Sequence, residues 1–317
     1  MSTEAHAEVT EPQSIASVTV AYNAANQLPR QIEALRRQTR PLQEIIVVDN
    51  ASTDATSALL AKRYPQVTVL KMPENLGAAG AWSAGLSYAA LEKRHDLVWT
   101  FDDDSLPDDD ALQALLDGLE RLSTMYPEIG IVAPLPVDRK TGSPYPPYLW
   151  REGFVKAPEE VLRQSVWLAD VVIVSGSLVR RGMVQAIGLP RADFFMDVFD
   201  FEYCLRAESH GYKIGVINGA RLVHEVGNIR QVRLPGYARR WSDQAPWREY
   251  YISRNLAYLA WRLYPTRATK RYMARYLLIH ALQVLLFSSK KLACLGKILQ
   301  GFSDGLRATL GIRFRPS

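Results

Sequence analysis

Residues 96–104 read Asp-Leu-Val-Trp-Thr-Phe-Asp-Asp-Asp, a short, largely apolar run that ends in three adjacent carboxylates. Such a run, bounded by polar residues, predicts a strand covered on both faces, as in the parallel sheet of an α/β protein. Three neighbouring carboxylates at its end repel one another unless a cation sits among them, so the sequence points to a hard divalent ion, Mg2+ or Mn2+. Because strand residues alternate faces, Asp102 and Asp104 can turn to one side while Asp103 serves another partner. A solvated acidic turn capping the next helix is the plainer reading, and Asp108 to Asp110 suit that job better.

The stretch before it repeats the same unit. Ser17 to Tyr22 (SVTVAY) is strand-like, and Ile32 and Leu35 after Pro29 have helical spacing. Glu44 to Val48 (EIIVV) reads as a buried parallel strand followed by Asp49, Asn50 and a helix start at Ser52-Thr53-Asp54. A short strand at Val67 to Leu70, a glycine-rich turn over Asn75 to Gly80 and a helix to about Lys93 complete the series. Alternating strands and helices predict a doubly wound, mostly parallel α/β sheet, in which ligands bind beyond the carboxyl ends of the strands. Polar residues gather at three such ends: Tyr22-Asn23, Asp49-Asn50 and Asp102 to Asp104. Asp49 can accept from a nucleobase N–H, and Gly77 beside Asn75 would let backbone approach a base or a diphosphate. The turn lacks the three-glycine spacing of a dinucleotide fingerprint, so an ordinary turn is the equal alternative.

Downstream the sequence predicts a helix near Asp108 to Ser123, then a long loop where Pro134, Pro136, Pro144, Pro146 and Pro147 cluster. A strand-like run over Val166 to Val174 and a short helix ending near Gly188 follow. From Phe194 to Arg206, acidic residues stand among phenylalanines, and apolar surroundings raise a carboxyl pKa toward the range of a general base. Asp200 is the better candidate and Asp197 the second, with an acidic helix start as the alternative. Glu202 and Arg206, four apart, read as a helix-surface ion pair. His224 follows a strand-like stretch and by itself reads as structural; His95, His210 and His280 sit in no acidic motif. From Tyr250 to the end the pattern is helical.

With 48% hydrophobic and 22% charged residues, the 317-residue chain can bury one large core, or a core with an appendage. Residues 1–15 lack the basic start and apolar stretch of a secretory signal and read as a frayed tail. Cys204 and Cys294 stand far apart with no zinc-like spacing, which fits a reducing cytosol. Residues 265–317 hold ten Lys and Arg against the single Asp304, a net +9, so the first 264 residues carry −4 of the chain's +5. That basic tail alternates with aliphatic side chains instead of stacking aromatics, which argues against nucleic acid and for an anionic membrane surface. Its apolar stretch Tyr276 to Phe287 is too short to span a bilayer. Packing on the catalytic domain or on a second copy of the chain is the equal alternative.

Taken in order, VTVAYN, IIVVDNAST, NLGAAGAWSAGL, FDDDS, VSGSLV, FFMDVFDFEYCLRAESHGY and LVHEVGN resemble an inverting family 2 glycosyltransferase of the GT-A fold, from about Ser17 to Asn255. The resemblance implies a GT-A catalytic domain over 16–240 and a helical, basic region over 241–317. It implies that Asp49 contacts the base, that Tyr22, Asn23, Asn75 and Gly77 line the nucleotide site, and that Asp102, Asp103 and Asp104 form the Asp-x-Asp motif for ribose, diphosphate and metal. His224, twenty-four residues after Asp200, matches the metal-binding His of galactofuranosyltransferases. Asp200 matches the catalytic base, but Phe199-Asp200 replaces the usual Glu-Asp, which leaves Asp197 and Asp200 both open. Trp247 to Asn255 and Gly301 to Leu306 look like rhamnosyltransferases, whereas the triple Asp leans toward galactofuranosyl transfer, and rhamnose ranks first. The expected reaction is a single displacement with inversion from dTDP-rhamnose or UDP-galactofuranose to a glycan or polyprenyl-linked acceptor, at the inner face of the cytoplasmic membrane.

Two rival classes are weighed by residues. A nucleotidyltransferase should carry a glycine-rich, lysine-containing loop after the first strand, where this chain has Ala21 to Asn26. A non-catalytic membrane-associated binding protein would have no use for the Asp trio together with Asp200.

Overall fold

The computed structural model describes residues 13–139, 142–150, 154–224, 229–234 and 237–316. Its first half is β1 (Ile15–Ala21), α1 (Leu28–Arg36), β2 (Glu44–Asp49), α2 (Thr56–Arg63), β3 (Thr68–Lys71), α3 (Gly77–Leu86, prolonged by a π-helical turn to Glu92) and β4 (Leu97–Asp102). Then come β5 (Leu106–Pro107), α4 (Ala111–Met125), β6 (Ile129–Asp138), β7 (Tyr148–Trp150), β8 (Phe154–Lys156), α5 (Glu159–Leu162), β9 (Val166–Ala169), β10 (Leu178–Arg180), α6 (Arg181–Ile187), α7 (Phe199–Ser209) and β11 (Lys213–His224). A hairpin of β12 (Ile229–Leu234) and β13 (Tyr237–Ser242) leads to α8 (Pro246–Tyr258), α9 (Arg267–Phe287) and α10 (Lys291–Leu306).

The sheet runs β3-β2-β1-β4-β10-β6-β11-β5, with β9 also on β11. Pairing is parallel from β3 to β4 and between β6 and β11, while β10, β5 and β9 pair antiparallel, so the doubly wound sheet is parallel in its first half and mixed in its second. Both faces are covered because alternate strand residues turn opposite ways. Val18 and Val20 of β1 join one core with Trp82 of α3, Val184 of α6 and Tyr203 of α7; Ile15, Trp99 and Phe101 join another with Leu112 and Leu115 of α4. The C-terminal helices belong to the first of these cores through Leu256, Met273 and Leu277. No described helix is long and apolar enough to cross a membrane.

Several local expectations are corrected. Residues 1–12 lie outside the described ones, but Ile15, read as tail, is fully buried as the first residue of β1. The turn after Asn75 is shorter than its glycines suggest, since Gly77 already opens α3. Pro134 and Pro136, read as loop, lie in β6. β10 covers β6 only at Ile131 and Val132, so beyond that point one side of the strand needs no ladder N–H, and proline is tolerated there. The strand over Val166 to Val174 stops at Ala169, and the helical tail stops at Leu306.

Candidate active site

A cavity of about 1010 Å³ opens at the carboxyl ends of β1, β2 and β4. Tyr22, Asn50, Asn75 and Gly77 line it together with Asp102, Asp103, Asp104, His224 and Asp200. β4 delivers the carboxylates. β11, pairing back onto β5 through Leu222 and Val223, brings His224 beside them across 119 residues of sequence.

Asp102, Asp104 and His224 each offer a ligand atom within 4.8 Å of the others. His224 Nδ1 lies 3.2 Å from Asp104 Oδ1 and 2.7 Å from Ser105 Oγ, and Ser105 and Ser175 hydroxyls meet at 2.7 Å. The Asp102 amide donates to Ser175 Oγ at 2.9 Å, which ties the end of β4 to the segment before β10. Asp103 turns away, its carboxylate accepting from the Tyr22 amide at 3.3 Å. Burial raises the Asp102 carboxyl above its ordinary value, with Asp104 adding to the rise and His224 opposing it. Burial likewise pushes Asp103 up to about 7. Burial alone would lower the His224 imidazole, but the hydrogen bond and charge of Asp104 outweigh it and the net shift is upward. Two carboxylates and an imidazole converging in a partly buried, negatively charged pocket fit a hard divalent cation such as Mn2+ or Mg2+.

The nucleotide-side residues divide. Asn50 locks the Asn75 turn: its Oδ1 accepts from the Leu76 amide at 2.8 Å, and its Nδ2 donates to Asn75 Oδ1 at 3.2 Å and to Gly77 O at 3.3 Å. Asp49 and Asn23 do not line the cavity. Asp49 is 2% exposed and accepts from the Ser52 amide and the Ser57 hydroxyl, and the side-chain Oδ1 of Asn23 accepts from the Thr53 and Asp54 amides. Asn50, paired with Asp49 at the same strand end in the sequence pattern but given no role there, is the one of the two that reaches the cavity.

Asp200 stands in the first turn of α7 and accepts from the Phe201 amide at 2.9 Å. Burial pushes its carboxyl up to about 7, with the charge of Asp197 adding to the effect. Asp197 has another occupation, a two-point ion pair with Arg248 of α8 at 2.8 and 2.9 Å. The Glu202–Arg206 pair forms at 2.9 Å, but Glu202 is buried, not at the surface, and Arg206 also donates to the carbonyls of Ile187, the last residue of α6, and of Leu189 just beyond it. His95 and His280, set in no acidic motif, find Glu44 at 2.9 Å and Glu249 at 2.6 Å. Glu225, beside His224 in its motif, lies outside the described residues.

The segment leading into α7 has an uncommon backbone. Phe195, Asp197 and Val198 have φ of 62°, 59° and 65°. Phe195 sits at the centre of a γ-turn closed by the Met196 amide on Phe194 O at 2.7 Å. Each left-handed non-glycine residue costs about 1–3 kcal/mol and persists only where the surroundings impose it.

The sequence model of the family described as Glycosyl transferase family 2 matches residues 17–186. The dTDP-rhamnosyl transferase RfbF of Shigella flexneri is 25% identical over 84% of this chain and 87% of its own length. The galactofuranosyltransferase GlfT1 of Mycobacterium tuberculosis is 26% identical over 78% and 82%. Among solved structures, GalNAc-T7 with UDP, GalNAc and Mn2+ superposes with a TM-score of 0.62 at 15% identity, covering 93% of this chain, which spans 56% of that one. S. aureus TarS 1-349 with UDP-GlcNAc superposes with a TM-score of 0.59 at 14% identity, over 93% and 81% of the two chains. These structures share the fold.

Proposed function

Because the chain belongs to glycosyl transferase family 2, we propose that it transfers a glycosyl unit, rhamnosyl before galactofuranosyl, from a nucleoside-diphosphate donor to a hydroxyl of a glycan or polyprenyl-linked glycan, inverting the anomeric carbon. The observation that carries this reading is the single cavity lined by both the Asp102–Asp104–His224 cluster and the Asp200 carboxyl, while Asp197 is engaged by Arg248.

In this mechanism Asp200 takes the acceptor hydroxyl proton as that oxygen bonds to the anomeric carbon. The bond from that carbon to the diphosphate breaks, and its electron pair leaves with the diphosphate. Asp102, Asp104 and His224 are the residues that would hold a divalent cation, which supplies positive charge against the leaving diphosphate. Tyr22, Asn50, Asn75 and Gly77 form the nucleotide side, and Tyr148, Tyr272 and Tyr276 give the other side aromatic faces on which sugar rings can pack. Asp49 and Asn23 shape the nucleotide side from behind, through the Ser52–Ser57 segment. Rhamnose is placed first on the strength of the Trp247 to Asn255 stretch and the match to a dTDP-rhamnosyl transferase along most of the chain.

The C-terminal helices supply the setting. Leu278, Leu282, Leu285 and Leu286 of α9 are exposed, as are Leu292 and Leu299 of α10, with Lys290 and Lys291 at the turn between the helices. That combination suits an anionic leaflet at the cytoplasmic face, where a polyprenyl-linked acceptor would reside.

Mass spectrometry of products from dTDP-rhamnose and UDP-galactofuranose, with Mn2+ or Mg2+ and lipid-linked or simple glycoside acceptors, tests the reading. One donor should react, and Asp200→Asn should lower transfer by about 10²–10⁴-fold while nucleotide binding persists. An Asp200→Asn enzyme as active as the wild type removes Asp200 as the base. Cosedimentation with phosphatidylglycerol vesicles but not with phosphatidylcholine vesicles tests the leaflet, and a stable dimer without lipid binding would assign that surface to a second copy.

A further inference from the structure

The segment that carries Asp200 into the cavity takes most of its side-chain hydrogen bonds from one helix, α8, far away in sequence. Asn255 is fully buried, and its side-chain nitrogen donates to three carbonyl oxygens of the segment: Phe194 at 3.0 Å, Met196 at 2.8 Å and Asp197 at 2.9 Å. Arg254 is fully buried as well. Its guanidinium donates to Asp193 O at 3.0 Å, Phe194 O at 2.8 Å, Gly311 O at 2.5 Å and the side-chain Oδ1 of Asn255 at 2.9 Å, all neutral oxygens, with the Tyr251 ring 4.7 Å away. About two turns earlier in α8, Arg248 forks onto the Asp197 carboxylate.

Burying a guanidinium with no carboxylate hydrogen-bonded to it is unfavourable, so a chain that needed only packing here would do better with an apolar side chain. What the two side chains do accomplish is specific. Along the path of the left-handed residues Phe195, Asp197 and Val198, Asn255 takes the carbonyls of Met196 and Asp197, and both side chains add to Phe194 O, which also accepts from the Met196 amide, while Arg254 joins the Gly311 amide on Asp193 O. The same segment also touches the donor side: Phe195 O accepts from the Ala79 amide at 3.0 Å, at the start of α3.

We infer that Asn255, Arg254 and Arg248 are positioning residues of the transfer reaction: α8 imposes the strained path of residues 193–198 and thereby aims Asp200 at the acceptor. The inference rests on the reading of Asp200 as the base. The chemistry of the clamp is independent of which sugar is transferred, so it predicts a selective loss of turnover and not of donor binding.

The test compares Asn255→Ala, Arg248→Lys and Asp200→Asn in the full-length protein. Arg248→Lys keeps the charge and exchanges the two-point fork for a single contact. For each, kcat, KM for donor, the kcat–pH profile, UDP and dTDP affinity by calorimetry with Mn2+, and the thermal midpoint are measured. The expected result for Asn255→Ala is a fall in kcat of about 100-fold, the scale of an ångström of misplacement, with a displaced acidic limb of the pH profile and with nucleotide affinity retained. Arg248→Lys should move kcat and the limb the same way by less. The inference is overturned if folded Asn255→Ala keeps the wild-type kcat and limb, or if its kcat falls only as its folded fraction does. Should Asn255→Ala not fold, wild-type behaviour of Arg248→Lys overturns it equally. An active Asp200→Asn would instead remove the base reading, whereas an inactive Asp200→Asn beside unaffected clamp variants would remove the clamp alone.

Discussion

On the donor side of the cavity, Asp102, Asp103 and Asp104 sit at the end of a strand whose own residues put them there, and Asn75 is locked by Asn50 from the next strand end. On the opposite side, Asp200 is carried by a segment with three left-handed residues, held by side chains about sixty positions later in the chain. The first arrangement is local: alternation along β4 aims the carboxylates wherever a sheet of this kind forms. The second is made by contacts between distant parts and would relax if α8 were altered. His224 lies between these extremes, placed by a strand but brought to Asp104 only through the pairing of β11 with β5. Perturbing the donor side should therefore act through the charges there, and perturbing the other side should act through geometry.

After the loss of the base in Asp200→Asn, the largest effect is expected from His224→Ala. It leaves the carboxylates of β4 in place and removes the one ligand that arrives from across the sheet. Losing such a preorganised electrostatic contact costs on the order of 10²–10³-fold in kcat. Mn2+ affinity by calorimetry should fall with it, and EDTA should abolish wild-type turnover until Mn2+ is restored. Undiminished turnover in both His224→Ala and EDTA-treated enzyme would break the assignment of this cluster to metal-assisted chemistry.

A smaller effect is expected where the two sides touch. Gly77 has φ +71°, and a Cβ there would lie 2.1 Å from Phe195 O, so Gly77→Ala combines backbone strain with a clash against backbone. Gly142 has φ +64° and nothing within 4 Å of its would-be Cβ, so Gly142→Ala reports the strain alone, about 1–3 kcal/mol. Gly77→Ala should therefore lose more thermal stability than Gly142→Ala and should also weaken UDP or dTDP binding and slow turnover. Equal behaviour of the two variants would mean that the α3 start and the Phe195 carbonyl move apart freely, and that the two sides are not joined there.

Legibility in the sequence follows the same division. The βα repeat, the carboxylate run and the Glu202–Arg206 pair depend on residues a few positions apart, and the periodicity of strand or helix reveals them. Pro134 and Pro136 misled because proline reads as a breaker, although β6 needs no ladder N–H on one side at that depth. His224 carried no signal of its own and entered only through its distance from Asp200 in a family resemblance. Asp49 and Asn23 read as strand-end polar residues, and the hydrogen bonds that tie them to the Ser52–Ser57 segment are not visible in the helix start read there. The stretch Trp247 to Asn255 stood out as a motif, but what Arg254 and Asn255 hold is visible only once α8 is laid against residues 193–197.

The smallest effect, and the one that separates charge from geometry most directly, is the pH dependence of Asp200. Burial raises its carboxyl to about 7 from the ordinary 3.8. A base must be ionised, so kcat should fall about tenfold per pH unit below that value and level off above it. A cation held by Asp102 and Asp104 stabilises the carboxylate and would move the limb to lower pH, so the limb should shift downward as Mn2+ is raised toward saturation. Stability should move in the opposite sense. The folded state holds this proton over a window in which the unfolded chain has released it, so the group destabilises the fold progressively as pH rises from about 4 to about 7. Asp200→Asn should then melt higher than the wild type at pH 8, and the gain should vanish near pH 4. A limb that ignores Mn2+, together with an unchanged melting difference across that window, would show that Asp200 is neither buried against its charge nor electrically aware of the Asp102 cluster, and the two sides of the cavity would have to be treated as separate sites.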